Sequence, residues 1–222
     1  MIKSKNNLFL FDEKKLSGCK YLIGTDEAGR GPGAGPVFAA AICFTDTNKE
    51  LKKALSRLND SKQLTEKVRE ELYDVIKENS IWSVKASSIE QIERINILQA
   101  SLLAMKEAVQ EIHHKIATDD FTLLIDGNKL IPKCPYRQEF VIKGDSKSAS
   151  IAAASILAKV ERDRYMKELA KEHPEYEWHK NKGYLTKEHL DAIDKFGITK
   201  HHRQKFLQKH FEKSEQLKFI LS

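Results

Sequence analysis

The stretch Tyr21-Leu22-Ile23-Gly24-Thr25-Asp26-Glu27-Ala28-Gly29-Arg30-Gly31-Pro32-Gly33-Ala34-Gly35-Pro36-Val37-Phe38-Ala39-Ala40-Ala41-Ile42-Cys43-Phe44 decides how the chain is read. Tyr21 to Gly24 is a short apolar run, and Val37 to Phe44 is a second one with no polar helical face; both read as strands. Gly29 to Pro36 holds four glycines and two prolines, so the segment joining the strands is a loop. Asp26 and Glu27 stand where the first run ends. Two adjacent carboxylates there are costly unless a cation compensates them. An ion pair with a nearby base such as Arg30 would do so, and so would a metal ion.

Working outward, Asn48 to Leu58 reads as a helix. Thr65 caps a stronger one, with Val68, Leu72, Val75 and Ile76 on one face. Ile81 to Ala86 is expected to be a strand and Ser88 to Ile116 one long amphipathic helix. Phe121 to Ile125 reads as a buried strand stopping at Asp126-Gly127, and Gln138 to Ile142 as another, followed by Lys143-Gly144-Asp145. Ser148 to Lys171 is helical and rich in alanine. A further helix starts at Thr186 and is closed by Gly197, and a basic last helix begins near Phe206. The alternation gives an α/β chain with a mixed central β-sheet flanked by helices. A catalytic domain over 18–200 and a C-terminal helical, basic extension over 201–222 are expected.

Asp126 and Asp145 also follow apolar strands, where open sheets place their sites. A set of carboxylates without Cys or His suits hard cations such as Mg2+ or Mn2+. Neighbours in a regular strand point to opposite faces, so Glu27 reaches the side of Asp26 only if the strand bends or ends there, which Gly29 permits. Gly29, Arg30 and Gly31 can offer backbone N–H groups to phosphate or hydroxyl oxygens. Ser61, Lys62, Lys143, Lys147, Ser148, His202 and Arg203 read as polar substrate contacts, and Tyr184 as a ring able to stack on a sugar or base.

The bulk numbers set limits on these readings. At 222 residues, 41% hydrophobic and 32% charged, the chain is ordinary for a folded protein. A net charge of +6 and a pI near 9.0 favour an anionic partner such as nucleic acid. Cys19, Cys43 and Cys134 are scattered, with no C-x-x-C pair, which points to reduced thiols in a cytoplasmic protein. The Leu8 to Phe11 run is too short for a signal segment, and no stretch approaches the ~20 apolar residues of a membrane helix. Nothing demands more than a monomer.

Six strings in order carry a resemblance: G-T-D-E-A-G-R-G-P from Gly24, D-S-K-Q-L from Asp60, I-D-G from Ile125, K-G-D-S-K-S from Lys143, A-A-S-I-L-A-K-V-x-R-D from Ala153, and H-K-x-K-G-Y-x-T-K-E-H from His179. Together they resemble bacterial ribonuclease HII, a type 2 ribonuclease H. The resemblance implies a ribonuclease-H-like fold and an endonuclease that hydrolyses RNA in RNA·DNA hybrids. It implies nicking 5′ of single ribonucleotides in duplex DNA, leaving 5′-phosphate and 3′-hydroxyl ends, in ribonucleotide excision repair and primer removal. Asp26, Glu27, Asp126 and Asp145 would then be catalytic and hold two Mg2+ or Mn2+ ions ~4 Å apart. Gly29, Arg30 and Gly31 would read the 2′-hydroxyl and backbone at the RNA-to-DNA junction, Tyr184 would pack on the following deoxyribose, and Asp163 would be structural. Gln216 to Ile220 loosely resembles peptides that bind the bacterial sliding clamp, against the plainer reading of a hydrophobic helix face.

Two competing readings differ from this one. Ribonuclease HIII shares the early motif but normally carries an extra N-terminal domain, with a different last acidic ligand from Asp145. A nucleic-acid binding module with a decayed site gains nothing from carboxylates facing phosphates.

Overall fold

The computed structural model describes the backbone of residues 7–221 and the side chains of residues 8–212. The chain order is α1 (Asn7–Leu16), β1 (Tyr21–Ala28), β2 (Val37–Cys43), α2 (Lys49–Ala54), α3 (Glu66–Glu78), β3 (Ile81–Ser87), α4 (Ile89–Ile95) and α5 (Ile97–Ile116). It continues with β4 (Phe121–Asp126), β5 (Gln138–Val141), α6 (Ala149–Glu172), α7 (Trp178–Asn181), α8 (Lys187–Phe196) and α9 (Gln204–Leu221). Short 3-10 turns lie at Ser61–Gln63, Gly144–Ser146 and Pro174–Tyr176.

The strands form one mixed sheet in the order β3-β2-β1-β4-β5. The hairpin β1–β2 and the pair β2–β3 are antiparallel, while β4 and β5 join β1 in parallel. The pleat sorts side chains onto two faces. Ile23, Ala39, Ala41, Leu123 and Ile125 pack under α5, whereas Ala28, Ala40 and Ile42 pack with α2, α3 and α6. The expected mixed sheet flanked by helices is what forms.

α6 is the central helix of the second face, and its composition explains why. Ala149, Ala152, Ala153, Ala154 and Ala158 are fully buried, so small side chains let the helix lie deep between β1 and its covering helices. The closest approach to the helix backbone falls at Gly24, where an added Cβ would sit 2.4 Å from the Ser150 carbonyl carbon and 2.5 Å from the Ile151 nitrogen. Ser148 caps α6 by accepting from the Ile151 N–H. Asp12 of α1 accepts from both the backbone N–H and the hydroxyl of Ser150, tying α1 to the same helix end.

One expectation needs correction. The predicted single helix from Ser88 to Ile116 is two helices broken at Asn96, which adopts φ 67°. With ψ 164° at that positive φ, Asn96 takes a backbone geometry few L residues adopt, and its side chain caps α5 by accepting from the Gln99 N–H. Phe9 of α1 and Leu207 of α9 are buried as well. α9 begins at Gln204, close to the expected start near Phe206. The clamp-like peptide Gln216 to Ile220 lies beyond the described side chains.

The Gly24 contact leads to a measurable expectation. Gly24→Ala should lower stability by about 2–3 kcal/mol, because both facing atoms are backbone and cannot yield cheaply. Gly18→Ala, whose methyl meets only Arg137 Nη1 at 3.5 Å, should stay within about 0.5 kcal/mol. Urea unfolding followed by circular dichroism compares the two; equal midpoints would refute the close-packing argument.

Candidate active site

Parallel pairing of β1 with β4 sets Thr25 beside Ile125, so Asp26 and Asp126 come next at the same level and at the C-terminal ends of adjacent strands. Alternation puts both on the α6 face. Asp126 is the hinge pin of the third carboxylate: its Oδ1 accepts from the Gly144 N–H at 2.7 Å and the Asp145 N–H at 3.4 Å. This docks the Gly144–Ser146 turn against the strand end, and the close approach suits glycine, since a Cβ on Gly144 would lie 3.1 Å from Asp126 Oδ1.

Glu27 arrives differently from the sequence reading. The β1–β2 register runs unbroken through Glu27 opposite Ala39 and Ala28 opposite Phe38, so the strand does not bend at the carboxylate pair. The side chain therefore leaves on the α5 side of the pleat. The chain turns only at Gly29, φ 101°. Glu27 nonetheless carries its carboxylate to the strand end, where the charges of Asp126 and Lys62 reach it and its Oε1 meets Arg30 Nη1 at 3.1 Å. The ion-pair and metal-site readings of this residue thus describe one place.

Electrostatics mark the cluster as short of positive charge. Burial, then the charges of Glu27 and Asp126, push the Asp26 carboxyl well above its usual range, against a lowering hydrogen bond from Ser155. Burial raises Glu27 despite Arg30, and burial with Asp126 and Asp60 raises Asp145. Lys62 is the resident cation: burial depresses it, but Asp26, Asp60, Asp145 and Asp126 together leave it raised. Among the described residues, no three of the four carboxylates bring oxygens within 4.8 Å of one another. The all-oxygen donor set of Asp26, Glu27, Asp126 and Asp145 is of the kind that hard divalent cations prefer.

A cleft beside the carboxylates is lined by Glu27, Gly29, Arg30, Gly31, Ser61, Lys62 and Tyr184. Its Gly-rich wall is held by two buried arginines. Arg162 of α6 donates to the carbonyls of Pro36, Lys182 and Ala34. Arg203 donates to those of Gly35, Arg30, Pro32 and Gly29. Burial pulls their pKa values down, to about 10 and about 9, so both remain charged at neutral pH. Tyr184 is half exposed beside the Gly-rich wall, where a Cβ on Gly31 would be 3.4 Å from its Cε1.

Several predicted contacts take other roles. Arg203 is fully buried and supports the loop from beneath. His202 is buried against Tyr176 and Trp178, with Nδ1 accepting from the Thr199 N–H and Nε2 3.2 Å from His189 Nε2. Burial and neighbouring histidines push it down to about 4, so it brings no charge to a phosphate. Ser148 is a buried helix cap. Lys147 borders a separate hollow with Leu10, Phe11 and Lys14, while Lys143 is exposed two residues before Asp145. Asp163 pairs with Lys159 on its helix at 2.7 Å, and also with Arg69 of α3 at 3.7 Å. Sequence reasoning missed Arg162 and Asp60. An arginine in an otherwise alanine-rich buried helix was the available signal for the first, and the D-S-K string for the second.

Removing one buried charge should therefore stabilise the protein while metal is chelated. A carboxyl raised by folding contributes stability at acid pH that is lost as pH climbs through its folded value. Asp26→Asn should thus gain in Tm on the parent progressively as pH rises from about 4, the ordinary carboxylate value. Thermal scans in chelator at stepped pH would show it; a variant less stable than the parent at pH 8 would count against the cause assigned.

Comparisons with known proteins bear on this geometry. A family model described as Ribonuclease HII matches residues 23–214. The chain is 48% identical to ribonuclease HII of Fusobacterium nucleatum over 212 residues, 95% of each chain. It is 52% identical to that of Pelagibacter ubique over 187 residues, 84% of this chain and 96% of the other. A solved complex of PCNA with RNase HII from Archaeoglobus fulgidus contains a chain similar in fold, with TM-score 0.66 and 26% identity, covering 82% of this chain and 93% of that one.

Proposed function

The chain belongs to the ribonuclease HII family, ribonuclease H enzymes that cut the RNA of RNA–DNA hybrids, and on that premise we propose that its cleft finds an RNA-to-DNA junction and nicks beside it. The observation that carries the reading is the placement of Asp26, Asp126 and Asp145 at one sheet end, beside a rigid Gly-rich wall and an exposed tyrosine.

In this proposal Asp26, Glu27, Asp126 and Asp145 hold two divalent ions, Mg2+ or Mn2+. When bound there, such ions would supply Lewis acidity for activating a water and for stabilising the departing 3′-oxygen, in keeping with 5′-phosphate and 3′-hydroxyl ends. Lys62, central among the acids, offers a donor to the scissile phosphate. Ser61, its hydroxyl 2.8 Å from that of Ser155, braces the same wall. Gly29, Arg30 and Gly31 present backbone N–H groups and one exposed guanidinium to the ribonucleotide. The 2′-hydroxyl is what separates RNA from DNA at that sugar, so a wall held rigid by Arg162 and Arg203 reads it by position. Tyr184 stacks on the next deoxyribose, where a 2′-hydroxyl would crowd the ring. Exposed Lys143 and Lys147 steer the duplex backbone. The proposed setting is cytoplasmic ribonucleotide excision and primer removal by a monomer whose working body centres on 18–200. Gln216 to Ile220 is proposed to give a weak sliding-clamp contact, a reading supported by the Archaeoglobus complex with PCNA.

A nicking assay on duplex DNA with one embedded ribonucleotide, with Mg2+, with Mn2+ and with chelator, tests the proposal. Asp126→Asn should abolish cleavage and keep the fold; near-full metal-dependent turnover by that variant would overturn the carboxylate assignment. Tyr184→Ala should slow nicking at single ribonucleotides more than cutting of a long hybrid, by about tenfold if a stacking contact of about 1–3 kcal/mol is lost. Equal losses on both substrates would remove its junction role.

A further inference from the structure

Away from the cleft, the C-terminal end of α6 meets the segment that precedes α9. Glu172, His173 and His201 there each present a ligand atom, all within 4.8 Å of one another, the only such group of three among the described residues. His201 Nε2 is buried yet has no hydrogen-bond partner. A buried ring nitrogen left unpaired is costly, and a metal ion would use its lone pair. The two imidazoles stand 5.3 Å apart between centroids, and both pack on Trp178, which limits their rotation. Glu172 is exposed, so an ion has a route in. The carbonyls ending α6 add partial negative charge at the same point.

We propose that Glu172, His173 and His201 form a second metal site, for a borderline cation of the zinc class. Two imidazoles and one carboxylate, with a fourth position open to water, match the ligand set such ions prefer, whereas Mg2+ favours oxygen alone. Glu175, its carboxylate 3.5 Å from His173 Nδ1, lies close enough to orient that ring. The site would fasten residues 199–203 to α6. The His201 carbonyl accepts from the Gly35 N–H at 2.9 Å, and Arg203 follows two residues later, so occupancy braces the Gly-rich wall from behind. Binding to the folded state alone raises stability by mass action.

Calorimetric titration of tag-free, full-length protein with Zn2+, in a large excess of Mg2+, tests the site. The expected result is one tight Zn2+ per chain and a raised Tm, both kept in Asp126→Asn and both lost in His201→Ala. Because His201→Ala removes a packed ring, His173→Gln is tested beside it, with Co2+ absorption as the readout: a tetrahedral band in the parent should vanish in the variant. No Zn2+ binding by the parent, binding that survives both histidine substitutions, or binding lost in Asp126→Asn alone would each overturn the proposal.

Discussion

The contact of α6 with β1 at Gly24 is the constraint on which the rest depends. With no side chain at that position the helix backbone rests on the strand, and everything farther along both elements is brought into register. Two residues on, Asp26 becomes buried beneath Ser155. About three turns along α6, Arg162 passes under Gly29, where even one extra carbon would fall 2.1 Å from its Nε. One close approach thus fixes an acidic strand end and the base of a neighbouring loop.

The site then separates charge by depth. Carboxylates gather at the open ends of β1 and β4 and on the Gly144–Ser146 turn, with Lys62 among them. The two arginines lie behind the Gly-rich wall, their donors spent on carbonyls. Those charges are thus turned inward onto carbonyls, while Arg30 is half exposed beside Glu27. Buried acids without enough resident cation work against folding, a cost commonly carried by sites built to receive metal.

Much of the frame was legible because it rests on local pattern. The apolar runs at Tyr21, Val37 and Phe121 marked strands, and Thr65 and Thr186 capped helices by accepting from Val68 and His189. Asn96 was not legible: apolar spacing continues across it, and only the positive-φ backbone reveals two helices. His202 and Arg203 read as a basic surface patch because sequence does not state depth. Packing against Tyr176 and Trp178 neutralises the first, and four carbonyls engage the second.

The sequence by itself determined most of the elements and singled out the candidate acids, since periodicity, caps and turn residues act over a few positions and carboxylates suit hard cations. Only the tertiary structure decided which acids face one another and how Glu27 arrives. The parallel pairing of β1 with β4 joins residues a hundred positions apart, and the unbroken register to Ala28 sends Glu27 out on the opposite pleat. Depth, facing and distance are properties of packed layers, so Arg162 became a brace and Glu172, His173 and His201 a cluster only once α6 was laid against its neighbours.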